Sequence, residues 1–358
     1  MLPCSGMGTS QTRHEQNSSR MSTFAPATDI NLFAKKAIDA LPEAFTRRMH
    51  DIVPDEQYTP VMASFAMPRA TCFRVNTLKA DVQSVQAELT SEGLPLNPCT
   101  WYDAAFWVEP EFRDRLLTSP AYTQQRIYVQ NLSSMVPPFA LSPEPGERVL
   151  DLAAAPGSKT LQIACEMDDD GEIAAVELVK SRFFKMRANL EAQGATSVRT
   201  FLKNGEHVWR NRPEYFDRVL LDAPCSTEGR FQANDPETYA YWSLAKIKEM
   251  SRKQNRLLYS AIQCLRPGGV LVYSTCSFAP EENELVLEKA LSTFGDALEL
   301  EPIGVTLDNA RPPLESWQDK PIKADLTHAR RILPTDVMEG FFVCRIRKNS
   351  STLNGRRR

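Results

Sequence analysis

The feature that most constrains this chain is a change of rhythm near residue 121. From there to residue 348, short apolar runs without alternation are separated by helical patterns. Arg148-Val-Leu-Asp-Leu-Ala153 is such a run, and a strand apolar on both faces belongs inside a parallel sheet. A helix over 158–167 follows, then a strand over 172–177 and a helix over 179–192 that Gly194 closes with a left-handed cap. Strands over 197–203 and 217–223, a long helix around 245–265 and a further central strand over 269–276 continue the alternation. The block ends with 297–303 and 340–348, where antiparallel pairing is allowed. This order predicts an α/β fold, a doubly wound Rossmann-like sheet spanning 121–348.

Residues 31–120 read differently. Helical patterns from Leu41 to Val53 and from Asp81 to Glu92 enclose one strand, 72–79, in a proline-rich stretch, which predicts a small N-terminal α+β domain. Residues 1–30 carry no hydrophobic period and are expected to be disordered, with Met21 as a second candidate start. Arg13 and Arg20 admit a transit peptide as the minor reading. At the other end, 349–358 are expected to form a basic disordered tail; Arg345 to Arg358 holds six Arg or Lys and no acid.

Composition narrows the function classes. With 42 basic and 45 acidic residues the net charge is -3, which excludes a uniformly cationic surface and requires any nucleic-acid contact to be local. No apolar run approaches the roughly 20 residues of a membrane span, and 1–23 lack the apolar core of a signal peptide. A cytoplasmic protein without membrane attachment is expected. The eight cysteines form no C-x-x-C pair and only four histidines exist, so neither a metal site nor disulfides are expected.

Ligands of such sheets sit at the carboxyl ends of the strands. The first strand runs into Asp151-Leu-Ala-Ala-Ala-Pro-Gly-Ser-Lys-Thr160. A dinucleotide fingerprint needs three glycines, and only Gly157 is present; a phosphate loop fails too, because Ser158 separates Gly157 from Lys159. The remaining reading is a small-residue loop, Ala153, Ala154, Ala155, Pro156, Gly157 and Ser158, that lets the backbone approach S-adenosyl-methionine, which has no phosphate to cradle. Glu177 ends the second strand, 20 residues after Gly157, where an acid can bind a ribose. Asn204 ends the third, placed for an adenine edge. Cys225 follows the fourth strand in Asp222-Ala-Pro-Cys225, and Cys276 follows the next in Ser-Thr-Cys276. One cysteine in an apolar strand is normally core filling. Two at neighbouring strand ends, each among Pro, Ser and Thr, suggest chemistry.

These segments resemble the RNA 5-methylcytosine methyltransferases of the Sun/NSUN type, and among them are most similar to the bacterial RsmF-like 16S rRNA enzymes. The resemblance rests on FRVNTLK (73–79), DLAAAPGSKT (151–160), LDAPCSTEG (221–229), LRPGGVLVYSTCSFAPEENE (265–284) and EGFFVCRIRK (339–348), supported by LPEAF (41–45) and FWVEP (106–110). It implies a methyltransferase sheet that binds S-adenosyl-methionine through 153–159, Glu177, Asn204 and Asp222, and an N-terminal module that binds RNA. It also implies Cys276 as nucleophile, Cys225 assisting release, Asp222 holding the base and Lys159 favouring the thiolate. The chain departs from the family at Asn204, usually Asp, and at Asn131, commonly an acid. It also ends soon after Lys348, where RsmF-like enzymes continue into C-terminal RNA-binding domains.

The chemistry asks for the same groups. Carbon 5 of cytosine becomes nucleophilic once a thiolate has added to carbon 6, and the adduct must later lose its C5 proton. The base must also be unstacked. The implied partner is RNA, rRNA first and tRNA as the alternative, bound by a monomer. Arg74, Lys79, Arg230 and the Arg345–Arg358 tail are the candidate phosphate contacts. Competing readings are a methyltransferase acting on nitrogen, which would show an Asn-Pro-Pro-Tyr-like element in place of Asp222-Ala-Pro-Cys225, and a non-catalytic RNA-binding or ribosome-assembly factor.

Overall fold

A computed structural model describes residues 27–353. The expectations for residues 1–26 and for the last five residues lie outside that range. The chain opens with helices α1 (Ala27–Ala40), α2 (Glu43–Ile52) and α3 (Asp55–Ser64), which lead into β1 (Thr71–Val75) and α4 (Val82–Ser91). Then come β2 (Asn97–Pro98), β3 (Ala105–Val108), the short helices α5 (Arg113–Thr118) and α6 (Pro120–Thr123), and β4 (Ile127–Val129). The four strands form an antiparallel sheet of order β2-β3-β1-β4, with Phe73, Val85, Leu89, Phe106 and Ile127 in its own core. Its last strand lies past the boundary expected at residue 120. Helix α1 begins inside the segment expected to be disordered.

Helix α7 (Leu132–Leu141) leads to the large sheet, built from β5 (Arg148–Asp151), α8 (Ser158–Glu166), β6 (Glu172–Glu177), α9 (Lys180–Gln193), β7 (Val198–Leu202), β8 (Phe216–Asp222), α10 (Leu244–Cys264) and β9 (Leu265–Thr275). It continues with α11 (Glu284–Phe294), β10 (Leu298–Glu301), β11 (Ala310–Arg311), a separate hairpin of β12 (Ser316–Trp317) and β13 (Lys320–Pro321), then β14 (Arg330–Ile332) and β15 (Phe341–Lys348). Strands β7-β6-β5-β8-β9 are parallel, and β15 pairs antiparallel with β9. The outer edge of β15 is shared, its first half by β14 and its second by β10.

Local chemistry starts and stops these helices where the sequence signals them. Asp81 accepts from Ser84 N at 2.9 Å to open α4, and Ser243 accepts from Lys246 N at 3.1 Å to open α10. Gly194 closes α9 at φ +83°, as expected. The apolar stripes then cover both faces of the sheet, α7, α8 and α9 on one side and α10 and α11 on the other. This is the doubly wound arrangement. A third core joins α1, α2 and α3 to Phe231 and Phe278, in the loops that follow β8 and β9, with the Phe45 and Phe231 rings 4.9 Å apart. The N-terminal helices therefore buttress the strand-end loops.

Two of the candidate RNA contacts are overturned here, Arg74 and the 345–348 part of the tail. Arg74 is 0% exposed; it donates to Gln130 Oε1 at 3.1 Å and to the Ser158 carbonyl at 3.3 Å, so it fastens the small sheet to the start of α8. Arg345 and Arg347 belong to β15, where both pair with Glu301. Lys348 is buried, ion-paired with Glu214 at 2.9 Å, and donates to the Ile262 and Leu265 carbonyls. The first residues of the expected tail also pack on the body, since Asn349 N donates to the Ala297 carbonyl and Thr352 N to Glu214. Lys79 donates to the Ala192 carbonyl at the end of α9, 2.7 Å away, and stays exposed with donors to spare.

Candidate active site

The carboxyl ends of β5, β6, β8 and β9 open into one cavity of about 680 Å³. Its lining brings together Ala153, Ala155, Pro156, Ser158, Lys159, Glu177, Asn204, Asp222, Cys225 and Cys276. Ala154 and Gly157 stand behind that wall. Ala154 is buried and its N–H donates to the Val176 carbonyl, while Gly157 adopts φ +100° at the turn into α8. A side chain there would be strained in this conformation and would press on Met186, so glycine shapes the loop rather than the ligand surface.

The two thiols meet. Cys225 Sγ and Cys276 Sγ are 3.2 Å apart, although the residues are far apart in sequence. Hydrogen bonding to Cys276 and burial push the Cys225 thiol well above the usual cysteine range. Beside them, Asp222 accepts from Ser274 Oγ at 2.9 Å and pairs with Lys159 Nζ at 2.7 Å. Lys159 also donates to Ser134 Oγ at 2.7 Å and lies 5.6 Å from the centre of the Phe341 ring. Its ammonium is thus committed to Asp222 and Ser134. Arg230 also lines the cavity, its guanidinium held above its ordinary range by Glu339 first, then by Cys276, Cys225 and Asp222.

At the opposite end of the cavity, Glu177 accepts from Val179 N at 2.7 Å and faces Arg182 at 3.5 Å. Arg182 in turn donates to the Ala155 carbonyl at 2.7 Å, tying the small-residue loop to α9. Asn204 Oδ1 accepts from Glu206 N at 3.0 Å and so caps the helical turn that follows β7. A backbone donor needs an oxygen acceptor, which leaves the Asn204 NH2 group for the cavity. Nearby, Asp151 is buried with Thr160 Oγ1 donating at 2.6 Å; burial raises its carboxyl to about 6.

Sequence reasoning missed the frame that holds the two cysteine loops. Glu228 accepts from Trp242 Nε1 at 2.9 Å and from Phe278 N and Ala279 N at 2.8 and 2.9 Å. Glu282 accepts from Ser226 N and Ser277 Oγ, at 3.0 and 2.9 Å. Gly229 passes so close to Gly340 that a Cβ would collide with its carbonyl, and Gly229 N donates to the Cys276 carbonyl at 2.8 Å. The available signal was positional: a serine directly follows each cysteine, and an acid pair precedes Asn283. Among the described residues no cluster of His, Cys, Asp and Glu is arranged to hold a metal ion, and no helix is long and apolar enough to cross a membrane.

A family model for 16S rRNA methyltransferase RsmB/F matches residues 138–347, and one for the N-terminal domain of 16S rRNA methyltransferase RsmF matches 41–132. Ribosomal RNA small subunit methyltransferase F of Photobacterium profundum is 36% identical over 318 residues, 87% of this chain and 64% of the relative. The chain spans slightly less than two thirds of the curated relatives it matches, 63% to 65% of their length. A methyltransferase homolog protein from Pyrococcus horikoshii is 34% identical with a TM-score of 0.75, covering 88% of this chain and 99% of its own. The structure of NSun6 from Pyrococcus horikoshii with SFG has a TM-score of 0.75 at 22% identity, covers 88% and 100%, and shows the shared fold. Because the first match takes in more than half of the chain, and includes both cysteine loops and every strand of the parallel sheet, this chain belongs to the 16S rRNA methyltransferase RsmB/F family.

Proposed function

We propose that the protein transfers a methyl group from S-adenosyl-methionine to carbon 5 of a cytosine in ribosomal RNA, through an adduct between a cysteine and carbon 6. The carrying observation is the pair of thiols 3.2 Å apart, in one cavity with Asp222. When bound, S-adenosyl-methionine supplies an electrophilic methyl group. The cavity has the volume of a small-molecule site, and its residues suit that molecule: small side chains along 153–158, Glu177 to accept from ribose hydroxyls, and the Asn204 NH2 to donate to a ring nitrogen.

Cys276 is the attacking sulfur in this reading. The resemblance to the Sun/NSUN type supports Cys276, the cysteine of the Ser-Thr-Cys element after β9, over Cys225. The Cys276 sulfur adds to carbon 6, carbon 5 gains the methyl group, the C5 proton leaves, and the sulfur–C6 bond breaks to release the product. Cys225 assists that last stage. Asp222, held from both sides by Ser274 and Lys159, presents its free lone pairs to the pyrimidine edge. RNA reaches the cavity past Arg230 and Lys253, which line it, and along the outer face of α10. There the exposed Lys248 and Arg252 follow Leu244 at helical spacing, next to Tyr241, which is 90% exposed.

The test is methyl transfer from labelled S-adenosyl-methionine to 16S rRNA and to tRNA, with bisulfite mapping of the product. Cys276→Ala should abolish transfer and leave S-adenosyl-methionine binding intact; Cys225→Ser should accumulate an RNA–protein adduct stable on denaturing gels. Retained activity in Cys276→Ala would refute the assignment. Transfer to tRNA alone would move the substrate class, and no transfer to either RNA would favour a binding or assembly role.

A further inference from the structure

Glu282 is 0% exposed, and four donors converge on it from both cysteine loops and from α10. Ser226, the residue after Cys225, gives both its N–H, at 3.0 Å, and its hydroxyl. Ser277, the residue after Cys276, gives its hydroxyl at 2.9 Å, and Gln254 of α10 donates at 2.7 Å. The two serine hydroxyls also touch each other, 3.1 Å apart. Glu282 is itself fixed, because the Tyr273 hydroxyl donates to its carbonyl at 2.6 Å. Its carboxylate takes these hydrogen bonds from the serines and Gln254, not from a thiol.

A second buried carboxylate, Glu228, lies across Ser277, which is 3.1 Å from Glu228 Oε2. Burying two carboxyls around one hydroxyl is costly, and an apolar contact would hold the loops more cheaply. What an apolar contact lacks is direction: hydrogen bonds to the residue after each cysteine dictate where both side chains point.

We propose that Glu282 is the positioning residue that sets the separation and aim of the Cys225 and Cys276 thiols. The reaction it serves rests on the function proposed above; the placement of the thiols does not. The test therefore reads thiol geometry directly. In the purified full chain, diamide converts neighbouring thiols to a disulfide: the two sulfurs lose two protons and two electrons, and the azo group takes them up to become a hydrazine. Peptide mapping of alkylated protein gives the rate of Cys225–Cys276 bond formation.

Glu282→Ala should slow that rate by about tenfold or more, the scale of a thiol displaced by roughly 1 Å. Glu282→Gln should stay near the wild-type rate. Its amide oxygen can accept from Ser226 N and Gln254, while its NH2 donates to the two hydroxyls, which rotate to receive it. If Glu282→Ala does not fold, Ser226→Ala and Ser277→Ala, each deleting one arm, should both slow the reaction. A folded Glu282→Ala, or failing that both serine variants, reacting at the wild-type rate would overturn the proposal. On RNA, Glu282→Ala should lower kcat and leave KM unchanged. If wild type methylates no RNA while the contrast in cross-linking rates persists, the functional reading fails and the positioning role stands. If wild type methylates RNA and that contrast is missing, the positioning role fails alone.

Discussion

Replacing Glu282 by glutamine should change the pH dependence of stability in a direction that can be worked out from its surroundings. Burial, reinforced by the nearby Glu228, raises the Glu282 carboxyl from about 4.5 to about 7, against the pull of its hydrogen bonds from Ser226, Gln254 and Ser277. A carboxyl raised in this way binds its proton more tightly folded than unfolded. Its contribution to stability is complete below pH 4.5 and is lost as pH rises through 7. At about 1.4 kcal/mol per pH unit the loss is about 3 kcal/mol. Glutamine keeps the network and never ionises. Glu282→Gln should therefore match wild type at pH 4.5 and exceed it by about 3 kcal/mol at pH 8. At ~2 °C per kcal/mol for a chain of this size, that is a Tm higher by about 6 °C. Both proteins keep a smaller decline of the same sign from Asp151, raised to about 6. Thermal unfolding at pH 4.5, 6 and 8 measures the gap. A gap that does not grow with pH, or a variant less stable at pH 8, would refute the reasoning.

Other outcomes follow from groups whose role the fold redefines. Arg74→Ala strands the acceptors of Gln130 and Ser158, at about 1–3 kcal/mol each, so it should lower Tm and leave the salt slope of RNA binding unchanged. Arg331 and Glu284 form a buried pair at 2.6 Å; Arg331→Met should cost about 3–5 kcal/mol by leaving Glu284 unpaired, and adding Glu284→Leu should recover part of it in a denaturation series. Changing both Lys248 and Arg252 to Ser should reduce the log–log salt slope of single-stranded RNA binding by about 1.4, at roughly 0.7 per phosphate contact. An unchanged slope would remove the outer face of α10 from the RNA path.

What the sequence by itself determined is what depends on order along the chain. Apolar runs and caps are local, so the succession of strands and helices, the left-handed turn at Gly194 and the strand ends at Glu177, Asp222 and Cys276 were legible in advance. The cavity residues were legible for the same reason, since parallel strands deliver their carboxyl ends to one side. Partnership was not. Arg74 and Lys348 look like solvent cations in a linear reading, and only packing shows each buried among oxygen acceptors. Glu282 sits among surface-type residues in the sequence, yet the closure of β8 against β9 brings it to Ser226, 56 residues away. Whether a charge meets water, a carbonyl or another charge is set by contacts between distant segments, and those exist only once the sheet has closed.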